Sequence, residues 1–433
     1  MDRITLSPFE KPFQATITPP GSKSLTNRAL VIAALADGES MLSNVLFAED
    51  TEVMIEGLRA LGYELKADAK TAIVSVTGRA GAVPASKAEI ACANSGTTIR
   101  FLTALCALGE GTYQLDGNER MRQRPIAELV MLLEELGAMV RYEAATGHPP
   151  VVVEAQGIPG GRAHFPSAYS SQYLSAVLMA APYAKDDDVL VALGPGQTSW
   201  PYVEMTARLM ALFGVNVWIA RDPEDGRPAE MRVPREPYTA RAYQIEPDAS
   251  NATYFMSAAA VRPGASVRIP GLGEKSLQGD VAFARLLADM GAEVSLTADA
   301  ITVGGPQHLK GIDVDMAPMP DAAMTLAAIA ALAHGPTTIR GLHTWRVKET
   351  DRLAALQAEL RKLGAGADVD GDTLRIEPAA TVRPAEIETY NDHRMAMSFA
   401  VVGSREPGIT ILGPDCVAKT YPDFFADLET LRH

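Results

Sequence analysis

A pattern that repeats six times along the chain limits the folds available to it. Each copy begins with a polar stretch typical of a helix start, continues as an apolar helix, and ends in a glycine-rich turn and a short strand-like run. The copies lie at residues 27–46, 98–117, 173–194, 252–272, 323–342 and 394–413. They follow one another at roughly 70 to 80 residues, a longer period than that of common solenoids.

A second type of helix alternates with the first. Its copies lie at residues 51–62, 126–137, 202–214, 280–291, 352–364 and 424–431. Apolar residues at three- and four-residue spacing, followed by Leu-Gly or Met-Gly, predict amphipathic helices that end at a glycine. Strand-like runs such as 151–153 and 300–303 follow most copies. Each unit is therefore predicted to be a mixed α/β module that packs on its neighbours. Because 433 residues are too many for one core, we expect three modules in each of two domains.

The first type of helix is predicted to be the buried one. Residues 174–181 and 324–331 contain no charged side chain, so these helices belong in the middle of each domain. Unusual polar residues gather at the helix starts: Lys23-Ser24, Asn94-Ser95-Gly96-Thr97, Ser170-Ser171-Gln172, Asp248-Ala249-Ser250-Asn251, Pro320-Asp321-Ala322-Ala323 and Asn391-Asp392-His393-Arg394. Any one of them is typical of an ordinary N-cap. Six in register predict helix starts that concentrate positive potential in one cleft.

The first of these helix starts carries two cations, Lys23 and Arg28, after Gly21 and Ser22. Cations at a helix N-terminus add to the positive end of the helix dipole, which favours folding only if something negative lies there. The alternative is a solvated basic turn. The spacing does not match a nucleotide-binding P-loop, which requires Gly, four residues and then Gly-Lys-Ser/Thr.

Two further clusters are rich in cations. One loop contains Arg120, Arg122 and Arg124 before Pro125, and Arg124 is the best ligand candidate because proline restricts its backbone. The other two arginines of that loop are interpreted as solvated. In the second cluster, Lys348 and Arg352 are four residues apart and are interpreted as sharing one helix face, with Glu349 beside them. A surface lattice of ion pairs remains the alternative there.

Composition excludes several classes of function. The net charge of −14 argues against a nucleic-acid partner. Three cysteines without CxxC spacing, a start without a signal pattern and no apolar run of membrane-spanning length favour a cytoplasmic protein. No histidine shows metal-ligand spacing, so we expect no metal. The residues describe a metal-free cleft with Asp321 and Glu349 among cations, suited to two phosphate- or carboxylate-bearing substrates and to proton transfer.

These motifs resemble those of the 5-enolpyruvylshikimate-3-phosphate synthase family, from Gly21 to Asp423. The resemblance is carried by Gly21-Ser22-Lys23-Ser24 with Arg28, Asn94-Ser95-Gly96-Thr97-Thr98-Ile99-Arg100, Arg124-Pro125, Ser170-Ser171-Gln172, Pro320-Asp321-Ala322-Ala323-Met324, Arg346-Val347-Lys348-Glu349-Thr350-Asp351-Arg352, Asn391-Asp392-His393-Arg394 and Ala418-Lys419-Thr420. It implies two α/β domains, each of three βαβαββ units arranged as an inside-out α/β barrel. One domain would be residues 21–246 and the other residues 1–20 with 247–433, with the active site in the cleft between them.

The resemblance also implies a reaction. The carboxyvinyl group of phosphoenolpyruvate moves to the 5-hydroxyl of shikimate 3-phosphate, and phosphate leaves by addition and elimination, as a step of the shikimate pathway towards aromatic amino acids. The implied contacts to shikimate 3-phosphate are Lys23, Ser24, Arg28, Ser170, Ser171, Gln172, Ser199, Tyr202, Asp321 and Lys348. Those to phosphoenolpyruvate are Lys23, Gly96, Arg124, Gln172, Arg352, Arg394 and Lys419. No cofactor is implied, and we expect a monomer.

Three side chains are interpreted as catalytic. Asp321 is the candidate base for the 5-hydroxyl, and Glu349 and Lys23 are the candidates for protonating the enol carbon. Three positions depart from the pattern of many members of the family: Thr344, Trp200 and Phe101. Thr344 is predicted to weaken one substrate hydrogen bond, and the other two bear on inhibitor sensitivity more than on activity.

Two other functions compete with this interpretation. UDP-N-acetylglucosamine 1-carboxyvinyltransferase shares the fold and the donor, but it typically has Gly-Ala-Lys-Asn at the first helix and a cysteine in the loop equivalent to residues 113–124, and this chain has neither. A non-catalytic anion-binding module on the same scaffold would be expected to have lost Asp321, Glu349 or Lys419, and all three are present.

Overall fold

The computed structural model describes residues 2–166, 170–196 and 199–432. The chain divides into two compact units: residues 21–245 form one, and residues 1–20 with 246–433 form the other. We call them the middle unit and the split unit.

Helices and strands alternate along the whole described chain. The α-helices are α1 (Lys23–Leu35), α2 (Glu49–Ala60), α3 (Gly96–Cys106), α4 (Ala127–Glu135), α5 (Ser171–Ala180), α6 (Trp200–Leu212), α7 (Ala249–Ala260), α8 (Phe283–Asp289), α9 (Ala323–Ala330), α10 (Arg352–Lys362), α11 (His393–Arg405) and α12 (Phe424–Thr430). The odd-numbered helices are the predicted first type and the even-numbered helices the second.

The strands are mostly short. They are β1 (Arg3–Thr5), β2 (Gln14–Thr16), β3 (Asp37–Ser43), β4 (Glu64–Asp68), β5 (Ile73–Arg79), β6 (Lys87–Ala91), β7 (Glu110–Asp116), β8 (Met139–Tyr142), β9 (Val151–Gln156), β10 (Gly161–Phe165), β11 (Val189–Leu193), β12 (Trp218–Arg221), β13 (Pro228–Val233), β14 (Ala242–Gln244), β15 (Ser266–Pro270), β16 (Glu293–Leu296), β17 (Ala300–Gly304), β18 (Asp313–Asp315), β19 (Thr337–Arg340), β20 (Gly366–Asp370), β21 (Thr373–Glu377), β22 (Ala385–Glu388) and β23 (Ile409–Leu412).

The same βαβαββ unit recurs, and each copy builds its own sheet. In the second copy, β6 runs parallel to β7, and β7 and β8 both run antiparallel to β9, giving the order β6-β7-β9-β8. The third copy, β10-β11-β13-β12, and the fifth, β18-β19-β21-β20, have the same order. The predicted α/β repeat is thus confirmed at the level of strand register.

The remaining copies borrow a strand from a distant part of the chain. The first sheet takes β14 as its outer strand, parallel to β3, and the fourth takes β2, parallel to β15. The sixth sheet pairs β23 with β22 and, antiparallel, with β1. The first 20 residues therefore supply two strands to the split unit.

The first type of helix fills the centre of each unit, as the sequence predicts. Every residue of α7 and α9 is buried, and these two helices pack with α11 in the split unit. In the middle unit α1, α3 and α5 pack on one another. Helices thus lie inside and sheets outside, but none of the sheets in the described part closes into a barrel, so the barrel description is correct only in its layering. No helix among the described residues is long and apolar enough to span a bilayer.

Candidate active site

The first helix start binds a negative group of the chain itself. Ser22 caps α1 by accepting from the backbone N–H of Leu25 at 3.4 Å. Gly21 precedes it because a Cβ there would lie 1.8 Å from the carbonyl oxygen of Asn44. Lys23 Nζ donates to Asp50 Oδ2 at 3.1 Å, and both side chains are largely buried. The negative partner that the sequence demands for Lys23 is therefore Asp50, at the start of α2.

Arg28 is a buried cation whose hydrogen-bond partners among the described residues are all neutral. Its guanidinium donates to the hydroxyl of Thr206 at 2.7 Å, the carbonyl of Ser24 at 3.0 Å, the hydroxyl of Ser175 at 3.3 Å and the carbonyl of Tyr202 at 3.4 Å. It also lies over the ring of Phe101 at 5.1 Å. Burial lowers the pKa of Arg28 to about 10, against a smaller opposite effect of Tyr202. A buried guanidinium among neutral groups favours binding of an anion.

Two more arginines converge on the start of α3. A Cβ at Gly96 would lie 2.6 Å from Nη2 of Arg124 and 3.0 Å from Nη1 of Arg100. Arg124 donates to the carbonyl and the side-chain oxygen of Asn94 at 3.1 and 3.3 Å. Its Nε is buried with no hydrogen-bond partner among the described residues. Gly96 thus leaves room for two guanidinium groups, and the Nε of Arg124 is a buried donor without a partner among the described residues.

The neighbouring arginines confirm how the loop was interpreted. Arg122 pairs with Asp116 on the surface, and Arg120 donates to the exposed Gln123 at 3.1 Å. Arg124 is 4% exposed. As predicted, Arg122 is solvated and the arginine before Pro125 is held inside, whereas Arg120 is half-buried.

The serine, glutamine and tyrosine candidates lie at three helix starts of the middle unit, with Ser24 in the first turn of α1 and the others at α5 and α6. Ser170 caps α5, its hydroxyl accepting from the backbone N–H of Gln172 at 3.3 Å. Gln172 in turn accepts from Arg100, and Ser171 is buried beside it. Ser199 precedes α6 with a left-handed backbone, at φ 54°. Tyr202, one turn into α6, reaches Arg28 through its carbonyl.

The split unit contains a buried network centred on Arg352. Its guanidinium donates to Asp392 at 2.8 Å, to Glu349 at 2.9 Å and to Asp321 at 3.0 Å. Burial by itself would lower the pKa of Arg352, but the three carboxylates together, Asp392 first, raise it above its ordinary value. Arg352 is 1% exposed, so the alternative of a surface lattice of ion pairs is wrong.

Asp321 joins this network instead of capping a helix. The residue at the N-cap of α9 is Ala322, which has no capping side chain. The carboxylate accepts from Arg394 at 2.9 Å and from Arg352, and Lys348 Nζ lies 3.9 Å away. At 21% it is the most exposed of the three carboxylates bound by Arg352. The other five helix starts named above do have a capping side chain, from Ser22, Ser95, Ser170, Asp248 and Asp392.

One local prediction in this region is wrong. The helix α10 begins at Arg352, after a short 3₁₀ helix at His343–Val347, so Lys348 and Arg352 do not share a helix face. They meet through Asp321 instead. Trp345 in the 3₁₀ helix is fully buried and donates from Nε1 to the carbonyl of Pro320 at 2.8 Å, which fixes the backbone next to Asp321. Thr344, one of the departures, is buried with an unpartnered hydroxyl among the described residues.

Lys419 ends a second 3₁₀ helix, Pro414–Lys419, and is buried. The other candidates form two groups, one in each unit. We call the residues around Arg28, Gly96 and Arg124 the middle group, and those around Arg352 and Asp321 the split group.

Three neighbours of the site were not among the candidates. Arg100 and Asp392 lie within motifs that carry the family resemblance. Their position beside buried candidates in those motifs was the signal that could have identified them. Asp50 had none, because an acidic residue in the first turn of α2 is typical of ordinary stabilisation by the helix dipole.

Comparison with known proteins assigns the family. The sequence profile described as EPSP synthase (3-phosphoshikimate 1-carboxyvinyltransferase) matches residues 9–428. The chain belongs to the EPSP synthase family. Members of this family that resemble it include 3-phosphoshikimate 1-carboxyvinyltransferase of Nostoc punctiforme (strain ATCC 29133 / PCC 73102), 46% identical over 98% of both chains. The chloroplastic enzyme of Brassica napus is 43% identical over 99% of this chain and 85% of its own.

A solved EPSP synthase shares the fold. The structure from Acinetobacter baumannii superposes with a TM-score of 0.82 at 26% identity and covers 100% of this chain and 98% of its own. The predicted fold class and family are therefore confirmed, and the sibling UDP-N-acetylglucosamine 1-carboxyvinyltransferase is not favoured.

Proposed function

We propose that this chain is a 3-phosphoshikimate 1-carboxyvinyltransferase of the shikimate pathway, acting on phosphoenolpyruvate and shikimate 3-phosphate. The observation that carries this proposal is that the family's motif residues form the two groups of buried cations. Both substrates are multiply charged anions, and buried guanidinium groups bind carboxylate and phosphate strongly.

The middle group supports the assignment of shikimate 3-phosphate to Arg28 and its neighbours. Arg28 has neutral protein partners, which suits an anionic ligand. The proposed contacts are Lys23, Ser24, Arg28, Ser170, Ser171, Gln172, Ser199 and Tyr202 from the middle unit, with Asp321 and Lys348 from the split unit. Hydroxyl groups at helix starts add neutral donors for the sugar-like hydroxyls of the acceptor.

Phosphoenolpyruvate is assigned to the remaining arginines and lysines. The contacts proposed for it are Lys23, Gly96, Arg124, Gln172, Arg352, Arg394 and Lys419. The unused Nε donor of Arg124 and the space at Gly96 support this, because an anion there would complete the hydrogen bonding of a buried guanidinium.

Asp321 is proposed as the base that takes the proton of the attacking 5-hydroxyl. Two arginines hold the carboxylate, which opposes proton uptake. When the anionic groups of phosphoenolpyruvate bind Arg352 and Arg394, the two cations are shared between the substrate and Asp321. Asp321 is then stabilised less as a carboxylate and becomes a better base. Glu349 and Lys23 are proposed to deliver the proton to the enol carbon. The steps balance. In the addition, the new C–O bond forms as the hydroxyl loses its proton and one proton enters at the enol carbon; in the elimination, the C–O bond to phosphate breaks and one proton leaves the resulting methyl group, which restores the double bond.

Phosphate release tests the proposed reaction. Release is expected only when both substrates are present, and none is expected when UDP-N-acetylglucosamine replaces shikimate 3-phosphate. Turnover that needs no shikimate 3-phosphate would contradict the proposal, and turnover with the nucleotide sugar would assign the chain the sibling's activity.

Replacing Arg28 by methionine separates binding from stability. The KM for shikimate 3-phosphate is expected to rise about 100-fold, because one or two charge-assisted hydrogen bonds are lost. The free energy of unfolding is expected to change by only about 1 kcal/mol. Methionine removes a buried charge that pairs with no carboxylate among the described residues. Steady-state kinetics and urea unfolding measure the two effects. An unchanged KM would remove Arg28 from the acceptor site.

Gly96→Ala is expected to affect the donor more than the acceptor. The new methyl group meets two guanidinium ends, which can shift, so the fold is preserved while Arg124 is displaced. The KM for phosphoenolpyruvate is expected to rise roughly 10- to 100-fold. Gly304→Ala is the matched control, because its Cβ would lie 3.3 Å from a side-chain carbon of Glu293 in the split unit. Equal effects of the two variants on KM would contradict the assignment.

Glu349→Gln tests proton delivery. The amide keeps the shape of the side chain and can still accept from Arg352, now 2.9 Å away, but it cannot donate an acidic proton. The single-turnover rate is expected to fall about 100-fold or more. A near-normal rate would leave Lys23 as the remaining candidate.

A further inference from the structure

A carboxylate remote from the catalytic candidates is buried in the split unit. Glu359 lies near the end of α10 and has 0% of its side chain exposed. Its oxygens accept from the hydroxyl of Tyr390 at 2.7 Å and from the backbone N–H of Glu388 at 3.1 Å. Lys362 Nζ lies 2.6 Å from the same carboxylate. Burying a carboxylate in this way costs free energy, which only its ion pair and hydrogen bonds offset.

The residues that Glu359 holds form a strained turn. Tyr390 and Asn391 are consecutive residues with left-handed backbones, at φ 52° and 54°. Residues with a side chain rarely adopt this conformation, and such strain persists only where the surroundings enforce it. The turn closes with the N–H of Asp392 donating to the carbonyl of Thr389 at 2.8 Å.

The strained turn leads directly into the split group. Asp392 accepts from Arg352 Nε at 2.8 Å and from the backbone N–H of Arg394 at 2.9 Å. Arg394 in turn binds Asp321. The position of the turn therefore determines where the carboxylate of Asp392 contacts Arg352 and where the backbone of Arg394 lies.

One face of α10 holds both ends of this segment. Arg352 and Glu359 are seven residues apart, two helical turns, and so share a face. Arg352 holds Asp392, and Glu359 holds Tyr390 and Glu388. Burial, and then the hydrogen bond to Glu359, raise the pKa of Tyr390, so its hydroxyl remains the donor at neutral pH.

We propose that Glu359 and Tyr390 are a positioning pair that holds the 388–392 turn so that Arg352 and Arg394 are oriented for phosphoenolpyruvate. Neither residue touches the catalytic candidates directly; they act through Asp392. This inference rests on the proposed function, which assigns Arg352 and Arg394 to that substrate.

Tyr390→Phe tests the pair by removing one oxygen. Tyr390 is 38% exposed, so the variant is expected to fold normally. The KM for phosphoenolpyruvate is expected to rise about 10-fold, the effect of one hydrogen bond to a charged group, while the KM for shikimate 3-phosphate and kcat stay within about 2-fold. Adding Asn391→Gly is expected to restore much of the lost affinity, because glycine adopts the left-handed turn without strain.

Tyr63→Phe is the matched control, since it removes a tyrosine hydroxyl bond of 3.0 Å to the carbonyl of Ala82 in the middle unit. A rise in both KM values, an unchanged KM for phosphoenolpyruvate, or no rescue by Asn391→Gly would overturn the proposal. Arg394→Gln is assayed in parallel to separate the two hypotheses. If Arg394→Gln leaves the KM for phosphoenolpyruvate unchanged, the proposed site fails; if it raises that KM and Tyr390→Phe does not, only the positioning pair fails.

Discussion

Asp321→Asn is expected to slow single-turnover conversion by about 100- to 10,000-fold, the usual contribution of a positioned general base. Asparagine has the same shape, and its single amide oxygen can still accept from one of the two arginines, which donate to different oxygens of the carboxylate at 3.0 and 2.9 Å. It cannot take up the proton of the attacking hydroxyl. The loss should therefore appear in the chemical step, which rapid mixing with both substrates and quenching measures directly.

Substrate affinity distinguishes the loss of a base from the loss of a binding contact. Asp321 also neutralises two arginines that are proposed to bind phosphoenolpyruvate. Removing its charge is therefore expected to leave phosphoenolpyruvate bound equally well or more tightly. Asp313→Asn is a suitable control: it removes an exposed carboxylate of the same unit that pairs with Arg340. A single-turnover rate within about 3-fold of the wild type would remove Asp321 from this role.

Arg352→Met is expected to be the most destabilising of these variants, by about 3–5 kcal/mol. The reason is that it leaves Asp392, Glu349 and Asp321 without the cation that all three share. Buried carboxylates that lose a cation partner bind protons more tightly in the folded state of the variant than in its unfolded state. The deficit relative to wild type should therefore shrink as the pH falls.

Tryptophan fluorescence reports this loss in the unit concerned. The chain has three tryptophans, and Trp345 lies buried in the split unit, while Trp200 and Trp218 belong to the middle unit. Urea unfolding is followed in a Trp200→Phe, Trp218→Phe background, in which Trp345 alone reports. Arg28→Met, followed through Trp200 and Trp218 of the middle unit, is the contrast, because it is a buried arginine whose hydrogen-bond partners among the described residues include no carboxylate. Equal stability of Arg352→Met and its parent would contradict the view that this cation holds the network together.

The repeat made most of the fold predictable. Apolar spacing and terminal glycines indicated both helix types, and the structure confirms their alternation and the burial of α7 and α9. What spacing did not predict is the exchange of outer strands. β2 and β14 are three residues each, and their partners lie more than 200 residues away, so no local pattern specifies them.

The site was predictable where a motif combines an unusual charge with a helix start. Lys23 and Arg28 were identified in that way, and Arg124 through the proline that follows it in a cationic loop. Asp321 was identified too, but as part of a helix start, whereas its carboxylate is bound by Arg352 and Arg394. Partners such as Asp50 and Glu359 were not predicted, because an acidic residue on an amphipathic helix is typical of a solvated face. Tertiary packing, which the sequence pattern does not reveal, buries both of them.

The borrowed strands bear on how the protein is made. A ribosome releases β1 and β2 first, yet their sheet partners, β23 and β15, come after Ile245. The middle unit has all its strands once Gln244 has emerged, so it is free to fold while the leading segment waits. Biogenesis should therefore pass through a state in which residues 2–20 are a tethered, unpaired tail, and β1 within it stays open to chaperones and proteases until β23 emerges near the end of translation.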